Sequence, residues 1–357
     1  MKQFQLQNIL RPHILTLTPY SSARDEYTGK EGVFLDANEN AFGSVTEQDF
    51  NRYPDPYQWA VKEKLAPLKG VRPTQIFLGN GSDEPIDLLV RATCTPGQDS
   101  VLLLPPTYGM YEVSAALNDV EAIKVPLTRD YQIDVPATLA AIQPRTKLLF
   151  VCSPNNPTGN LIERQSILTL LEAFPGLVVV DEAYIDFAET RSMTALLDQY
   201  PNLVVLQTFS KAWGLAALRL GMCFASEDLI RILNKVKPPY NISAPAQQLA
   251  LEALQQTAQK DRMVAIILNQ RTDLHERLLH LPMVRRVHPS DANFLLVEFD
   301  DARGVFNYLI DQKIIVRDRS RVTLCDDCLR ITVGTADEND RLLKALKQYT
   351  TATATTF

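Results

Sequence analysis

Short apolar segments that alternate with amphipathic ones constrain the fold of this chain more than any other feature. The apolar segments have the length of strands and lie at residues 76–78, 100–104, 148–152, 177–180, 203–207 and 220–225. Amphipathic segments, such as residues 83–93 and 163–173, lie between them. Strands that are apolar throughout are buried on both faces, which helices on either side of a mostly parallel sheet achieve. The pattern therefore predicts an α/β fold.

Two interruptions divide the chain into three predicted parts. Residues 1–35 lack a regular hydrophobic period, and we interpret them as an N-terminal arm. Residues 36–240 carry the alternating segments and form a large α/β domain that ends at the Lys237-Pro-Pro-Tyr240 break. Residues 241–357 are predicted to form a smaller α+β domain. Its expected elements are a helical stretch over about 244–281, a helix at 302–312 and strands at 294–299, 314–316 and 329–333.

The composition of the chain excludes several classes of protein. Its 357 residues carry 36 Lys and Arg against 42 Asp and Glu, a net charge of −6, whereas a nucleic-acid binder needs a basic surface. No apolar run approaches the roughly 18 residues of a membrane span, and the polar start lacks the apolar core of a signal peptide. The five cysteines are an odd, sparse set, which predicts free thiols and a cytoplasmic location.

The residues that metal and serine-hydrolase chemistry need are scarce. The four histidines form no HExxH pair, and Cys325-Asp-Asp-Cys328 lacks the second ligand pair of a zinc site. We interpret these two cysteines as thiols in a turn. No GxSxG segment occurs in the chain. The sequence therefore predicts neither a metal site nor a nucleophilic serine of that type.

Polar motifs follow the predicted strands, at the positions where open α/β sheets bind ligands. The first, Gly79-Asn-Gly-Ser-Asp-Glu-Pro85, leads from a strand into a helix whose first N–H groups can bind a phosphate. Glu84 occupies the place of the last glycine in a dinucleotide-binding GxGxxG motif, which argues against a dinucleotide-dependent oxidoreductase. A tight turn with a capped helix explains this motif equally well.

Two further motifs present an amide, a carboxylate and a phenol. Ser153-Pro-Asn-Asn-Pro-Thr-Gly159 is stiffened by its prolines, so Asn156 can present its side chain in a fixed direction. Asp181-Glu-Ala-Tyr184 places a carboxylate directly after a buried strand, where it needs a cationic partner. That partner is either a ligand or a structural Arg or Lys.

The fourth motif, Thr208-Phe-Ser-Lys211, contains a lysine beside hydroxyl side chains, with Arg219 eight residues further on. Lys211 is either a solvated or ion-paired lysine or a Schiff-base amine, because burial lowers the pKa of a lysine and frees its amine to attack a carbonyl. The four motifs together offer a phosphate site, a carboxylate, an amide with a phenol, and an amine. These match the groups of pyridoxal 5′-phosphate that a protein must hold.

On these motifs the chain resembles the fold-type I pyridoxal-phosphate aminotransferases, which share the aspartate-aminotransferase-like fold. The resemblance covers nearly the whole chain and extends to Leu17–Tyr20, Arg52–Pro54, Pro105–Tyr111, Ile315–Asp318 and Leu329–Gly334. It implies a large pyridoxal-phosphate domain, a smaller C-terminal domain and a homodimer with shared active sites. Within the family, the chain is most similar to enzymes that transaminate histidinol phosphate with 2-oxoglutarate in histidine biosynthesis, giving imidazole-acetol phosphate and L-glutamate.

The resemblance also implies roles for individual residues. Lys211 would bond to the aldehyde of the cofactor and then move the substrate proton, and Asp181 would hold the pyridinium N–H. Asn156 and Tyr184 would bind the ring oxygen. The remaining cofactor contacts would come from Ser82, Asp83, Thr208, Ser210 and Arg219 at the phosphate, from Tyr108 stacked on the ring, and from Tyr53 of the neighbouring subunit.

Tyr20, Arg317 and Arg330 would recognise the substrate. The planar fork of arginine binds carboxylate and phosphate, so one anion site can accept glutamate in one half-reaction and a phosphate ester in the other. Arg317 can instead form a salt bridge, for example with Asp318. An aromatic amino-acid aminotransferase or a threonine-phosphate decarboxylase would share these residues, and a non-catalytic binding protein on the same fold is a further alternative.

Overall fold

Two β-sheets organise the part of the chain that this computed structural model describes, residues 4–20 and 32–354. The strands are β1 Ile76–Asn80, β2 Ser100–Leu103, β3 Glu121–Lys124, β4 Thr146–Cys152, β5 Leu177–Asp181, β6 Leu203–Thr208, β7 Leu220–Phe224, β8 Val284–Val287, β9 Phe294–Phe299, β10 Arg317–Asp318 and β11 Cys328–Thr332. The helices are α1 Pro12–Thr16, α2 Trp59–Lys69, α3 Asp83–Thr93, α4 Met110–Leu117, α5 Val135–Ala141, α6 Arg164–Ala173, α7 Glu227–Val236, α8 Ala244–Leu254, α9 Thr257–Leu279, α10 Ala302–Asp311 and α11 Ala336–Ala354. Residues 1–3 and 21–31 of the predicted arm lie outside the described residues.

The first sheet has the strand order β1-β7-β6-β5-β4-β2-β3. Strands β2 to β6 run parallel to one another, and β7 is antiparallel to both β1 and β6. Successive side chains of β5 point to opposite faces. Val178 and Val180 pack into the core on one face, and Leu177 and Val179 pack into the core on the other. Both faces are therefore buried, and the predicted α/β class is confirmed.

Helix α3 shows how the sequence positions a site at the edge of this sheet. It begins at Asp83, directly after β1, with Asp83 and Glu84 in its first turn, where acidic side chains favour the positive end of the helix dipole. Its apolar side chains Ile86, Leu89 and Val90 are fully buried in the core under the sheet. Because that face of the helix is anchored, its N-terminus stays at the carboxyl end of β1.

The second sheet is antiparallel, with the order β10-β11-β9-β8. Side chains on one of its faces, including Leu329 and Ile331, pack with α9, α10 and α11. Side chains on its other face, including Leu296 and Cys328, belong to the core of the first sheet. The second sheet therefore turns one face towards the first, which positions β11 beside the strand ends of the large sheet.

Several predicted elements differ from the observed ones. The predicted strand at 314–316 lies three residues later, at β10, and the predicted helix over 244–281 is two helices, because α8 packs into the first core and α9 onto the second sheet. Strands β3 and β8 were not predicted, since both are edge strands with exposed charged residues. The domain boundaries at 35 and 240 remain a prediction. Within the described residues no helix combines the length and hydropathy needed to cross a membrane.

Candidate active site

One edge of the first sheet collects the strand ends that the predicted motifs follow. The carboxyl ends of β1, β4, β5 and β6 lie there, together with the amino end of the antiparallel β7. The register places Asp181 beside Cys152 and Leu206, and Thr208 beside Gly221. Because the predicted motifs follow these strands, the topology brings their loops to the same edge.

Asp181 is a buried carboxylate, with only 2% of its surface exposed. It accepts hydrogen bonds from the Tyr111 hydroxyl, at 2.7 Å, and from the backbone N–H of Ala183, at 3.1 Å. Burial raises the pKa of Asp181 to about 6, against the opposing effect of these two bonds. No described Arg or Lys forms an ion pair with it, so the structural salt bridge considered above is not found. A cation bound beside Asp181 would therefore stabilise its ionised form.

Lys211 lies three residues after β6 and opens onto the cleft at this edge. Its Nζ lies 5.6 Å from the centre of the Tyr184 ring. Burial of the amine and the positive charge of Arg330 lower the pKa of Lys211, while Asp181 opposes this shift. Among the described carboxylates, none forms a salt bridge with Lys211. The amine is therefore closer to its neutral, nucleophilic form than a surface lysine would be.

Asn156, Tyr184 and Arg330 form a connected group beside Lys211. Asn156 Nδ2 donates to the Tyr184 hydroxyl at 3.4 Å, and Arg330 Nη1 donates to Asn156 Oδ1 at 2.6 Å. Phe294 of β9 packs edge-on against Tyr184 at 5.1 Å and lies under the Arg330 guanidinium at 5.3 Å. Tyr184 and Asn156 come from the large sheet, and Arg330 and Phe294 from the small one. The group therefore spans the junction between the two sheets.

The turn between β1 and α3 forms a crowded backbone cradle. Gly81 has φ +71°, and its N–H donates to the Arg219 carbonyl at 2.8 Å. A Cβ on Gly81 would lie 2.6 Å from Arg219 Nη2, so a side chain would collide with the guanidinium. Ser82 precedes the helix and supplies no side-chain cap. The first N–H groups of the helix thus have no intrahelical or capping acceptor and can bind an anion.

Asp83 connects this cradle to two other predicted residues. Its carboxylate accepts a hydrogen bond from the Tyr108 hydroxyl at 3.1 Å and lies 3.4 Å from Arg219 Nη2. On the opposite side of the cradle, Thr208 Oγ1 donates to Ser210 Oγ at 2.9 Å and accepts from the Ser210 N–H at 3.0 Å. Asp83, Tyr108 and Arg219 are thus connected at this turn, and Thr208 and Ser210 are connected to each other at the end of β6.

Two predicted residues lie apart from this group, and a third lies beside Arg330. Tyr20 is 75% exposed, and Tyr53 is half exposed and stacked on Tyr240 at 4.4 Å between ring centres. Arg317 is exposed and lies directly opposite Arg330 in the β10–β11 ladder. Neither Asp318 nor another described acid forms an ion pair with Arg317, so the salt-bridge alternative is not found.

Sequence reasoning missed two side chains that shape the site. Tyr111 contacts Asp181, and Phe294 packs on both Tyr184 and Arg330. Tyr111 stands three residues after Tyr108 in the motif Pro105–Tyr111, which was the available signal. Phe294 begins a strand that is distant in sequence, and no local pattern connects it to Tyr184.

The predicted turn at Cys325 and Cys328 is confirmed, since the Cys328 N–H donates to the Cys325 carbonyl at 3.1 Å. Both thiols are free and buried. In the described ranges, no group of three or more His, Cys, Asp or Glu side chains is placed to hold a metal ion.

Comparison with known proteins places the chain in a large family. Residues 26–346 match the family model described as aminotransferase class I and II. The chain is 60% identical to a histidinol-phosphate aminotransferase of Cytophaga hutchinsonii, over 97% of this chain and 99% of the relative. It is 51% identical to a histidinol-phosphate aminotransferase of Parabacteroides distasonis, over 96% of this chain and 98% of the relative.

A solved structure matches the fold as well. The histidinol-phosphate aminotransferase of Sinorhizobium meliloti, in complex with pyridoxal 5′-phosphate, superposes with a TM-score of 0.78 at 25% sequence identity. The match covers 87% of this chain and 89% of that structure.

Proposed function

The chain belongs to the class I and II aminotransferases, and from that membership we propose that it transfers the amino group of L-histidinol phosphate to 2-oxoglutarate. The products are imidazole-acetol phosphate and L-glutamate, and the reaction belongs to histidine biosynthesis. The observation that carries the proposal is the full-length similarity to histidinol-phosphate aminotransferases in a chain whose Lys211, Asp181 and Arg330 meet at one sheet edge.

The described residues fit pyridoxal 5′-phosphate, the cofactor of this family. Asp181 is buried without a cation, and a pyridinium N–H supplies one. The turn at Gly81 has no room for a side chain, so its N–H groups stay accessible to a phosphate. The lowered pKa of Lys211 leaves amine free to bond to an aldehyde. Each of the polar groups of the cofactor thus has a matching group in the site.

When bound, the cofactor supplies an electron sink that stabilises negative charge at the substrate Cα. Asp181 holds a proton at the ring nitrogen, and the positive charge there favours the ionised carboxylate. Asn156 and Tyr184 donate hydrogen bonds to the ring oxygen. Tyr108 would cover the ring face, while the backbone N–H groups of Ser82 and Asp83 and the side chains of Thr208, Ser210 and Arg219 would hold the phosphate.

Lys211 moves the proton in this proposal. With the cofactor bound, its Nζ would take a proton from the substrate Cα and then give that proton up, so that the lysine would act as both the base and the acid of the transfer. A lysine suits this role because its lowered pKa leaves more of the amine neutral than in an ordinary lysine. The ring of Tyr184, 5.6 Å away, keeps the amine on the side where Asn156 and Arg330 lie.

Arg330, Arg317 and Tyr20 bind the anionic ends of the substrates. Arg330 is oriented by Asn156 and by the face of Phe294, so its guanidinium is preorganised at low entropic cost. It meets a carboxylate of glutamate in one half-reaction and the phosphorylated substrate in the other. Arg317, opposite it in the ladder, adds a second guanidinium.

A homodimer with shared active sites completes the proposal. Tyr53 is held by Glu39, whose carboxylate accepts the Tyr53 N–H at 2.7 Å, and it points to the surface. The surrounding segment exposes large apolar side chains, at Val33, Leu35, Phe42, Val45, Phe50 and Trp59. Exposed apolar patches of this kind mark contact surfaces, and a second copy of the chain would cover this one. Tyr53 would then reach the phosphate of the cofactor in the neighbouring subunit.

We place the enzyme in the cytoplasm. All five cysteines are free and buried, which suits a reducing compartment.

A panel of amino donors tests the proposed activity. Histidinol phosphate, phenylalanine, tyrosine and threonine phosphate are each assayed with 2-oxoglutarate on the holoenzyme, with Lys211→Ala as the control for turnover at this site. We expect kcat/KM for histidinol phosphate to exceed those for phenylalanine and tyrosine by at least about 100-fold, because their uncharged side chains leave an arginine unpaired. A preference for phenylalanine, or carbon dioxide release from threonine phosphate, would overturn the assignment in favour of the two related activities.

A further inference from the structure

The β10–β11 ladder contains a third arginine that the sequence motifs do not single out. Arg317 lies opposite Arg330, and Asp318 lies opposite Leu329. The ladder continues one residue further, because the Arg319 N–H donates to the Cys328 carbonyl at 2.9 Å. Side chains alternate between the two faces of a strand, and directly opposite residues share a face. Arg317, Arg319 and Arg330 therefore lie on one face, and Asp318 on the other.

This arginine face is the one that turns towards the active site. Cys328, opposite Arg319, packs into the core of the first sheet, whereas Leu329 packs into the core of the second. Arg330 reaches Asn156 at 2.6 Å. The charge of Arg319, like that of Arg330, acts on the Tyr184 hydroxyl and opposes the rise in its pKa. The Arg319 guanidinium therefore lies close to the same phenol that Lys211 faces.

The three guanidiniums have no anion to neutralise them. In the part of the chain that the structure describes, none of them forms an ion pair with an acid. Asp318, on the opposite face, instead accepts the Ser320 N–H at 2.8 Å. Arg319 Nε is buried and has no hydrogen-bond acceptor. Burial, and after it the charges of Arg330 and Arg317, lower the pKa of Arg319. A partly buried guanidinium without an acidic partner is stabilised when an anion binds to it.

We propose that Arg319 binds the phosphate ester of the substrate and is a specificity-determining residue for phosphorylated amino donors. The inference rests on the proposed function and deepens it. A phosphate monoester carries between one and two negative charges near pH 7 and three acceptor oxygens, so it can engage more than one arginine. Each of the two carboxylates of glutamate carries one negative charge, which one guanidinium fork satisfies. Arg319 therefore matters for histidinol phosphate and not for glutamate.

Steady-state kinetics of Arg319→Gln and Arg319→Lys test this assignment. We expect KM for histidinol phosphate to rise about 10- to 100-fold in Arg319→Gln, the range for losing one charge-assisted hydrogen bond, with kcat within about threefold of wild type. KM for glutamate in the reverse reaction should stay unchanged. Arg319→Lys should recover part of the loss, because it keeps the charge without the fork. Arg321→Gln, an exposed arginine two residues further on, is the matched control.

A binding measurement separates this inference from the proposed function. Calorimetric titration of the holoenzyme with inorganic phosphate measures binding directly. The dissociation constant should be larger in Arg319→Gln than in the wild type, by a factor similar to the rise in KM for histidinol phosphate. Equal phosphate affinity in the two proteins, or equal KM increases for both substrates, would overturn the role of Arg319. If the wild type binds phosphate through Arg319 but does not turn over histidinol phosphate, the proposed function fails and the arginine site stands.

Discussion

The hydroxyl of Tyr111 donates a hydrogen bond to Asp181 Oδ2 at 2.7 Å, and both side chains are buried. This bond favours the ionised carboxylate, whereas burial favours the protonated one, and burial is the larger effect. Tyr111 is itself fixed by stacking on Phe150, with 4.7 Å between ring centres. A rigid phenol thus orients the carboxylate that we expect beneath the cofactor ring and keeps its pKa from rising further.

Tyr111→Phe removes this bond while preserving the ring. We expect the pKa of Asp181 to rise, so that the carboxylate is lost at higher pH and the acid limb of the kcat profile moves up by about one pH unit. The pH dependence of turnover between pH 5 and 9 measures the shift. Tyr131→Phe is the matched control, because Tyr131 is a buried tyrosine whose hydroxyl donates to the Leu324 carbonyl at 2.9 Å. An acid limb that does not move would show that Tyr111 only fills space.

Asp181→Asn should stabilise the cofactor-free protein in a pH-dependent way. The folded pKa of Asp181, about 6, exceeds its ordinary value of 3.8, so folding favours the protonated carboxyl. Ionising the buried carboxyl therefore destabilises the folded protein. This loss of folding free energy is absent below about pH 4, grows as the pH rises from 4 to 6, and reaches its full size above pH 6. Removing it gains up to about 3 kcal/mol, and the Tyr111 hydroxyl can turn to accept from the new amide.

Urea unfolding of the cofactor-free proteins at pH 4.5 and pH 8 checks this prediction. The free energy of unfolding of Asp181→Asn should exceed that of wild type at pH 8, and the difference should shrink at pH 4.5. The same variant should lose at least about 100-fold in kcat, because no carboxylate holds the proton at the ring nitrogen. Asp198→Asn serves as the control, since Asp198 is an exposed carboxylate paired with Arg72. A variant less stable than wild type at pH 8 would contradict the stability argument.

Mixing two inactive variants tests whether Tyr53 acts in the neighbouring subunit. In a hybrid dimer of Tyr53→Ala and Lys211→Ala, one site carries both substitutions and the other carries none. Random exchange of subunits should therefore restore about a quarter of the wild-type activity, since half of the dimers are hybrids with one intact site. If Tyr53 served the site of its own chain, every hybrid site would be defective and mixing would restore nothing.

Arg330→Lys should weaken the binding of both substrates. Arg330 donates to Asn156 and lies over Phe294, and a lysine cannot keep this orientation while binding a carboxylate bidentately. We expect KM for glutamate and for histidinol phosphate each to rise by about 10-fold or more. Arg341→Lys, an exposed arginine on α11, is the matched control. An unchanged KM for glutamate would remove Arg330 from the carboxylate site.

Much of the fold follows from local sequence because the central strands are buried on both faces. Val178 and Val180 face one core while Leu177 and Val179 face the other, so the whole segment is apolar and easily recognised. The edge strands β3 and β8 are partly exposed, so their sequences do not need an uninterrupted apolar run. Their pairing depends on the neighbouring strand, which a local segment does not reveal.

The residues of the site likewise fall into two groups, those that the local sequence reveals and those that depend on tertiary packing. Asp181 ends β5 and Lys211 follows β6 by three residues, and parallel topology alone brings such positions together. The contact between Tyr111 and Asp181 depends on how α4 packs, and the common face of Arg317, Arg319 and Arg330 depends on the register of one short ladder. Both are tertiary relationships that no motif spacing contains.

The central claim is that the amine of Lys211 carries the aldehyde of pyridoxal phosphate. Reduction of the holoenzyme with borohydride, followed by proteolysis and mass spectrometry, tests it most directly. The account predicts one modified peptide, with the reduced cofactor attached to Lys211, and no modified peptide from Lys211→Ala. Attachment to a different lysine, or no attachment in a holoenzyme that retains full activity, would contradict it.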